Sequence, residues 1–128
     1  MKWPNGDQYL GEFVEGLMHG SGSLRYFNGN IYQGVFEKNK MHGRGRYEYP
    51  NGDVYEGEFK EDRMEGVGTF STLQHDRYEG EFRDGKFEGR GLYKYFKGDQ
   101  YEGEWKAGVK SGEGIYSWGN GTTYQGEF

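Results

Sequence analysis

One motif recurs along the whole chain at intervals of 23 residues. A tyrosine is followed two residues later by Gly and, after two more, by Phe or Trp; the tyrosines are Tyr9, Tyr32, Tyr55, Tyr78, Tyr101 and Tyr124. A fixed period of this length is typical of repeat proteins, in which each repeat is one supersecondary unit stacked on its neighbours. We therefore predict a single repeat array over 1–128. Its five full repeats are 9–31, 32–54, 55–77, 78–100 and 101–123, with partial repeats at 1–8 and 124–128.

The residues within each repeat alternate with period two. Aromatic residues and glycines occupy one set of positions, and Glu, Gln, Arg, Lys and Ser occupy the other, which is the pattern of a β-strand. A second element in each repeat reads Gly-x-Gly followed by an aromatic residue or Leu, as in Gly43-x-Gly45-x-Tyr47. The pattern predicts an all-β fold: an elongated single-layer twisted antiparallel meander of stacked 23-residue β-hairpins.

Two kinds of turn separate the predicted strands. Within repeats, the turn positions hold residues that tolerate positive φ, namely Gly16, Asn39, Asp62, Gly85 and Gly108. Between repeats, Asn-Gly or Lys-Gly pairs mark the second turn, except at Gln74-His75-Asp76. Because His75 must take the glycine position there, we predict a turn that is longer, differently shaped or mobile.

The register follows from keeping every aromatic residue on one face, since a slip of one residue would reverse each side chain. The loop within a repeat must then have an even number of residues, and the loop between repeats an odd number. The predicted pairs are Tyr32–Tyr47, Gly34–Gly45 and Phe36–Gly43 within a repeat, and Tyr49–Tyr55, Tyr47–Gly57 and Gly45–Phe59 between repeats. Such a sheet has no second layer, so its aromatic face must form a trough packed on itself or be covered by something else.

Composition excludes several classes of function. With 16 basic and 21 acidic side chains the net charge is −5, which disfavours non-specific nucleic-acid binding. The chain has no cysteine, and hence no disulfide, thiolate nucleophile or cysteine-ligated zinc. It has no apolar run of about 18 residues and no hydrophobic stretch after Met1. We expect a cytoplasmic protein that is neither secreted nor transmembrane.

Apparent catalytic motifs have simpler interpretations. Residues 80–86 spell the start of a phosphate-binding loop, but Phe87 stands where Ser or Thr is required. Glutamates two residues apart, such as Glu56 and Glu58, are interpreted as a solvated face paired with arginines and lysines of the next strand. His19 and His42 occupy equivalent positions about 10 Å apart, too far to share one metal ion. No catalytic residue, cofactor or metal is predicted, and the chain is predicted not to be an enzyme.

Tyr-x-Gly-x-(Phe/Trp) followed by Gly-x-Gly in 23-residue units closely resembles the MORN (membrane occupation and recognition nexus) repeat over 9–128. The resemblance implies a twisted ribbon of hairpins whose groove is lined by the signature aromatic residues. Family members are non-catalytic modules of ciliary, axonemal and cytoskeletal assemblies, of membrane junctions, or of proteins that also carry catalytic domains. Some bind a partner peptide along the groove, some pair through their last repeats, and phospholipid binding has been proposed for others.

We predict a protein-interaction scaffold that binds an extended or helical partner segment along this groove, in a ciliary, axonemal or cytoskeletal assembly. The candidate groove residues are Tyr9, Phe13, Tyr32, Phe36, Tyr47, Tyr55, Phe59, Tyr78, Phe82, Tyr93, Tyr101, Trp105 and Tyr116. A second row of rings adds polar tips suited to partner contact: Tyr26, Tyr49, Tyr95 and Trp118, together with Tyr47, Tyr93 and Tyr116. The stacked rings would form the floor, while their edges contact the partner.

Three alternatives remain open. The first is a peripheral module for anionic phospholipids such as phosphoinositides, contacted by Lys38, Lys40, Arg44 and Arg46. The second is a regulatory arm of an enzyme whose catalytic domain lies outside this chain. The third is self-association through the terminal repeats, since unpaired strand edges invite pairing. Because the last repeat stops halfway at Phe128, we also expect a fragment of a longer protein.

One position of each repeat predicts an apolar stripe along the hairpin loops. It holds Met18, Met41, Met64 and Phe87, and Lys110 breaks the series.

Overall fold

The computed structural model describes residues 2–128, which form one open antiparallel sheet of eleven strands in sequence order. The strands are β1 Gln8–Val14, β2 Leu17–Arg25, β3 Ile31–Glu37, β4 Lys40–Glu48, β5 Val54–Lys60, β6 Arg63–Ser71, β7 Arg77–Arg83, β8 Lys86–Lys94, β9 Gln100–Lys106, β10 Val109–Ser117 and β11 Thr123–Glu127. The predicted fold class is confirmed. The described residues include no helix of the length and apolar character that crossing a membrane requires.

The loops within repeats have two residues, both with positive φ. Lys38 and Asn39 have φ values of 48° and 71°, and Glu61 and Asp62 have values of 47° and 68°. This is the mirror-image turn whose twist matches that of the flanking strands. The predicted turn positions are therefore confirmed.

The turns between repeats span five residues, as at 49–53. The Tyr49 N–H donates to the Asp53 carbonyl (2.9 Å), and the N–H of Gly52, whose φ is 98°, donates to the Tyr49 carbonyl (3.0 Å). The Asn51 side chain accepts the N–H of Asp53 at 3.0 Å.

The turn at 72–76 has the same length and the same backbone bonds, so the prediction of a longer or differently shaped turn was wrong. His75 adopts a φ of 74°, and its N–H donates to the Thr72 carbonyl at 3.0 Å. The Thr72 hydroxyl accepts the N–H of Asp76 at 3.1 Å and thus replaces the asparagine side chain of the turns at 26–30, 49–53 and 118–122.

The predicted register is confirmed in part. Tyr32 pairs with Tyr47 and Gly34 pairs with Gly45, but Phe36 pairs with Met41. A bulge in β4 at Gly43, whose φ is 81°, shifts the register at that point. Between repeats, the observed pairs are Tyr47–Tyr55, Gly45–Gly57 and Gly43–Phe59, two residues from the prediction. The loop has an odd number of residues, as predicted, but its centre is Asn51 and not Gly52. Gly52 takes the position of positive φ, one residue after the centre.

The core is a continuous row of edge-to-face rings on one face of the sheet, here called the ring row. Tyr55, for example, packs against Phe59 of its own repeat (5.1 Å between centroids) and Phe82 of the next (4.8 Å). The same two contacts join successive repeats along the sheet. The members of the ring row are Tyr9, Tyr32, Tyr55, Tyr78, Tyr101, Tyr124, Phe13, Phe36, Phe59, Phe82, Trp105 and Phe128.

Each tyrosine of the ring row needs bare backbone beside it and a partner for its hydroxyl. A Cβ added to Gly68 would lie 2.6 Å from the Tyr55 ring, so only glycine fits below that ring. The Tyr55 hydroxyl donates to the Glu58 carbonyl at 2.7 Å, and the same bond to the third residue along recurs in the other repeats. Buried tyrosines are thereby satisfied inside their own repeat.

Candidate functional site

A second set of aromatic side chains lies on the same face, above the ring row. They come from the ends of even-numbered strands and from the turns that follow them, and they are only partly buried. We call them the groove rings, and the face they line the groove. The groove rings are Tyr26, Tyr47, Tyr49, Phe70, Tyr93, Tyr95, Tyr116 and Trp118.

The groove rings form tilted contacts with one another. Tyr47 lies 6.1 Å from Tyr26 and 4.9 Å from Tyr49 between centroids. At the other end, Tyr95 lies 4.5 Å from Tyr93 and 6.0 Å from Tyr116. These groove rings remain only partly buried.

The candidate groove residues fall into two layers. Most are ring-row members with an exposed fraction of at most 6 %: Tyr9, Tyr32, Phe36, Tyr55, Phe59, Tyr78, Phe82, Tyr101 and Trp105. Phe13, on the edge strand, is 40 % exposed. Tyr47, Tyr93 and Tyr116 are groove rings and remain half-buried. The groove thus has a buried floor and an accessible upper layer.

Phe70 is the groove ring that sequence reasoning missed, because the second row was identified from its tyrosines and Trp118. A signal was available, since Phe70 stands 23 residues after Tyr47 and 23 before Tyr93. The other position of the layer repeats as Tyr26, Tyr49 and Tyr95, with Thr72 interrupting it. Position in the repeat therefore identifies this layer better than residue type does.

The predicted apolar stripe lies inside the sheet and not on the hairpin loops. Met18 and Met41 are buried strand residues, and Phe87 stacks on Tyr78 with 3.8 Å between centroids and an 11° tilt. At the equivalent position of the fifth repeat, the Lys110 ammonium donates to the Tyr95 hydroxyl at 2.8 Å. At that position a partly buried cation contact replaces the packing of Met or Phe.

Aspartates at the end of each between-repeat turn connect that turn to the next. Asp76 Oδ1 accepts the Phe96 N–H at 2.9 Å, and its Oδ2 accepts the Tyr93 hydroxyl at 2.9 Å. In one turn the aspartate is replaced by Asn30, and the residue that would donate its N–H to it is Pro50, which has none. The Asn30 Nδ2 donates instead to the Tyr47 hydroxyl at 2.8 Å. Hydrogen bonds from these side chains therefore connect successive turns along the side of the sheet where the even-numbered strands end.

The same bonds set the ionisation of the groove. Burial, together with the hydrogen bond to Asp99, raises the pKa of Tyr116 to about 12. The hydrogen bond from the Gly119 N–H lowers the pKa of Asp99, with smaller contributions from Tyr116 and Lys97. At neutral pH Tyr116 is therefore an uncharged donor and Asp99 is an anion.

Glutamates of the odd-numbered strands stabilise the bulge. Glu58 Oε2 accepts the N–H of Val67 at 2.7 Å, directly after Gly66, whose φ is 75°. Glu12, Glu81 and Glu104 make the same bond. Sequence reasoning treated such carboxylates only as a solvated face, although each of the four stands directly between the strand glycine and the Phe or Trp.

The basic residues predicted to contact lipid lie away from the groove. Lys38 and Lys40 are exposed at the hairpin-loop edge, and Arg44 faces Glu58 across the strands. Arg46 pairs with Glu48 at 2.9 Å and also contacts Glu56, which confirms the predicted pairing across strands at this position.

The groove has a depression of about 230 Å³ at its centre. Tyr47 and Tyr49 line one side of it, Met41 and Met64 lie beneath, and the carboxylate of Asp62 stands at the hairpin edge, with Asp84, Arg63, Phe59 and Gly85 completing the lining. No group of three or more potential metal ligands occurs within residues 2–128. The depression offers aromatic faces, thioethers and carboxylates, which suit apolar and cationic side chains.

A comparison with family models supports this architecture. The family model of the MORN repeat matches five times, at residues 9–31, 32–54, 55–72, 78–100 and 101–123. No curated protein sequence matches the chain significantly. One similar solved structure is the TCP domain of SAS-4 (dCPAP) of Drosophila melanogaster, in complex with a proline-rich motif of Ana2 (dSTIL). It has 15% identity and a TM-score of 0.44, over 99% of this chain and 82% of that chain.

Proposed function

This chain belongs to the MORN-repeat family, and on that premise we propose that it is a non-catalytic scaffold that holds an extended or helical segment of a partner protein along its groove. The observation that carries the proposal is the partly exposed layer of groove rings above a floor that is already packed. We propose the setting that the family resemblance implies, a ciliary, axonemal or cytoskeletal assembly.

The groove rings have the properties of interface anchors. Aromatic side chains with polar tips supply a large contact area and few rotatable bonds, and they dominate binding energies when they become fully buried. The hydroxyls of Tyr47 and Tyr93 are held by Asn30 and Asp76, so these rings lose little further freedom on binding. The ring row below is packed and hydrogen-bonded whether or not a partner is present.

The repeat spacing limits the shape of the partner. Equivalent groove rings lie two strands apart, about 9.6 Å. An extended segment covers that distance in about three residues, and an α-helix in about six or seven. We therefore expect the partner to present apolar anchors at one of these two intervals.

The arrangement favours a protein partner over a lipid surface. Apolar side chains at the tips of the between-repeat turns are well exposed, with Phe27 at 73 % and Phe96 at 71 %. Lys38 and Lys40, however, lie at the opposite ends of the strands, and Arg44 and Arg46 point away from the groove. Peripheral membrane binding combines apolar insertion and basic contacts on one side of the molecule, and the four predicted lipid contacts do not lie beside these apolar turn tips.

The test removes groove rings without disturbing the floor. Tyr55 and Tyr78 are unsuitable, because both are fully buried. Tyr26→Thr with Tyr49→Thr is suitable, since Thr72 already occupies the equivalent position. The matched control is Val67→Ser on the opposite face, since Ser21 stands at that position in an earlier repeat.

The readout is capture from a ciliated-cell lysate, followed by direct binding of the purified candidate to each variant. We expect proteins retained by the native chain and by Val67→Ser to be lost from the double variant, with circular dichroism unchanged in all three. Equal capture by all three folded chains would contradict the proposal.

A further inference from the structure

Lys110 shows what kind of charge the groove accepts. Its ammonium lies 5.5 to 5.9 Å from the ring centroids of Tyr95, Tyr101, Trp105 and Tyr116 and donates to the Tyr95 hydroxyl. None of the ion pairs within residues 2–128 involves Lys110. The aromatic faces and one hydroxyl are thus the surroundings of this cation, in the manner of an aromatic cage.

The second repeat contains the same cage with a neutral occupant. Met41 stands where Lys110 does, three repeats earlier, and Tyr26 and Tyr47 stand where Tyr95 and Tyr116 do. The Tyr26–Tyr47 centroids are 6.1 Å apart at 38°, against 6.0 Å at 43° for Tyr95–Tyr116. The two cages differ in the charge of the occupant and in one ring, since Phe36 stands where Trp105 does.

The electrostatics beside Met41 are suited to a cation from outside. Met41 borders the central depression, whose hairpin edge carries Asp62 and Asp84. Arg63 is the basic side chain among the residues lining the depression, and it pairs with Asp84 at 3.0 Å. Asp62 therefore remains as the carboxylate facing the depression, in a chain whose net charge is −5.

We propose that the central depression binds a lysine ammonium from the partner segment, over the rings of Tyr47 and Tyr49 and beside Asp62, next to the cage that holds Met41. The inference rests on the proposed function and specifies its partner as a segment that carries a basic residue as well as apolar anchors. A lysine binds there because it places a charge over aromatic faces and its methylene groups against Met41 and Met64.

The first experiment uses penta-lysine as the probe and its Nε-acetylated form as the uncharged control. Binding is followed by the aromatic NMR signals of Tyr47 and Tyr49. We expect the charged peptide to bind at least about fivefold more tightly than the acetylated one. Equal binding of the two peptides, or shifts confined to the opposite face, would overturn the proposal.

Matched variants separate the site from the overall negative charge. Asp62→Asn preserves the fold, because Asn39 accepts the N–H of Met18 at 2.8 Å just as Asp62 accepts that of Met41. Glu102→Gln removes one charge from the exposed, opposite face. We expect Asp62→Asn to weaken penta-lysine binding about threefold or more and Glu102→Gln to leave it nearly unchanged. Equal weakening of penta-lysine binding by both variants would show that the peptide is held only by non-specific attraction, and would overturn the proposal.

A reciprocal exchange tests the likeness of the two cages. Met41→Lys supplies an internal cation to the central cage and is expected to abolish the Tyr47 and Tyr49 shifts. Lys110→Met gives the fifth repeat the neutral occupant that the second repeat has, and is expected to add shifts at Tyr95 and Tyr116. Unchanged shifts in both variants would contradict the proposal, and if Met41→Lys fails to fold, Lys110→Met and Asp62→Asn still decide it.

The two proposals fail in different ways. A partner that is lost from Tyr26→Thr with Tyr49→Thr but binds Asp62→Asn and Met41→Lys normally would leave the groove as the binding site and refute the cation inference. A partner that binds all of these variants equally would refute both.

Discussion

At the scale of single residues, the strand glycines and the buried tyrosines depend on each other. The ring of Tyr55 lies where a side chain at Gly68 would be, and its hydroxyl reaches the Glu58 carbonyl. Glycine in a strand loses conformational entropy on folding, and the ring that covers it offsets that loss by burying about 150 Å² or more. Neither residue can change size alone.

We expect Gly68→Ala to destabilise the protein by about 1–3 kcal/mol, because the added methyl overlaps the Tyr55 ring. Gly119→Ala is the control, since a Cβ there would meet its nearest atom at an ordinary 3.5 Å. Urea unfolding followed by circular dichroism measures both. Equal stability of the two variants would show that the ring yields without cost.

Asp99 is expected to make stability depend on acid. Its pKa is lowered in the folded state, chiefly by the Gly119 N–H, so its stabilisation is present above the unfolded pKa of about 3.9. That stabilisation is lost as pH falls through the lower, folded pKa. Asp99→Asn, which copies Asn30, should therefore lose less thermal stability than the native chain between about pH 5 and about pH 3. Parallel melting curves of the two chains over this range would contradict the assignment.

At the scale of elements, each hairpin is fixed by three devices: a two-residue loop with positive φ, a bulge whose N–H is held by a glutamate, and a five-residue turn. Val35 stands where the other repeats carry that glutamate, and the bulge still forms in the second repeat. The carboxylate therefore adds stability to a geometry that the glycine with positive φ already permits. The turn at 72–76 is held in the same way by its hydrogen bonds, against the preference of His75.

His75→Gly is expected to stabilise the protein by up to about 1 kcal/mol, because a φ of 74° is unfavourable for any residue with a Cβ. The opposite change is Gly121→Ala, where φ is 93° and a Cβ would meet nothing within 4 Å. It should be destabilising through conformation alone. Chemical denaturation of both variants is the measurement, and a loss of stability in His75→Gly would show that the imidazole makes a contact that outweighs the strain.

Much of the fold followed from periodicity, and the errors have local causes. Alternation identified the strands, and parity placed Tyr32 beside Tyr47 correctly. The pairing of Phe36 with Met41 could not be derived, because a bulge adds residues to one strand without changing the alternating pattern. The two layers of the groove were equally hidden, since Tyr55 and Tyr47 have the same residue type but differ in burial according to their strand.

At the scale of the whole molecule, each strand contacts the strands next to it in sequence, and the ring row crosses every repeat boundary in the same way. The stability of such an array is a sum of repeat and interface contributions. The ends differ from the middle, because Tyr124 and Phe128 remain 45 % and 42 % exposed.

Deletion of residues 55–77 is expected to give a folded, shorter array, because Val54 would then precede Tyr78 as it now precedes Tyr55. Circular dichroism per residue should be unchanged, and the denaturant m-value should fall by about a sixth. Deletion of 60–82 removes the same number of residues at another point of the repeat, and because it joins Phe59 to Arg83 as Phe82 is now joined, it should fold equally well. A folded deletion of 55–77 that unfolds over a much broader transition would contradict additive repeats.

The direction of the hydrogen bonds also determines how the sheet responds to force. The strands lie across the long axis of the sheet, so tension between its two ends pulls on the hydrogen bonds of one strand pair at a time. The terminal hairpin therefore opens before its neighbour bears load. Each repeat that opens releases roughly 70 Å of chain. A filament held under tension through these ends would lengthen in steps, with the aromatic pockets of the central repeats the last to be lost.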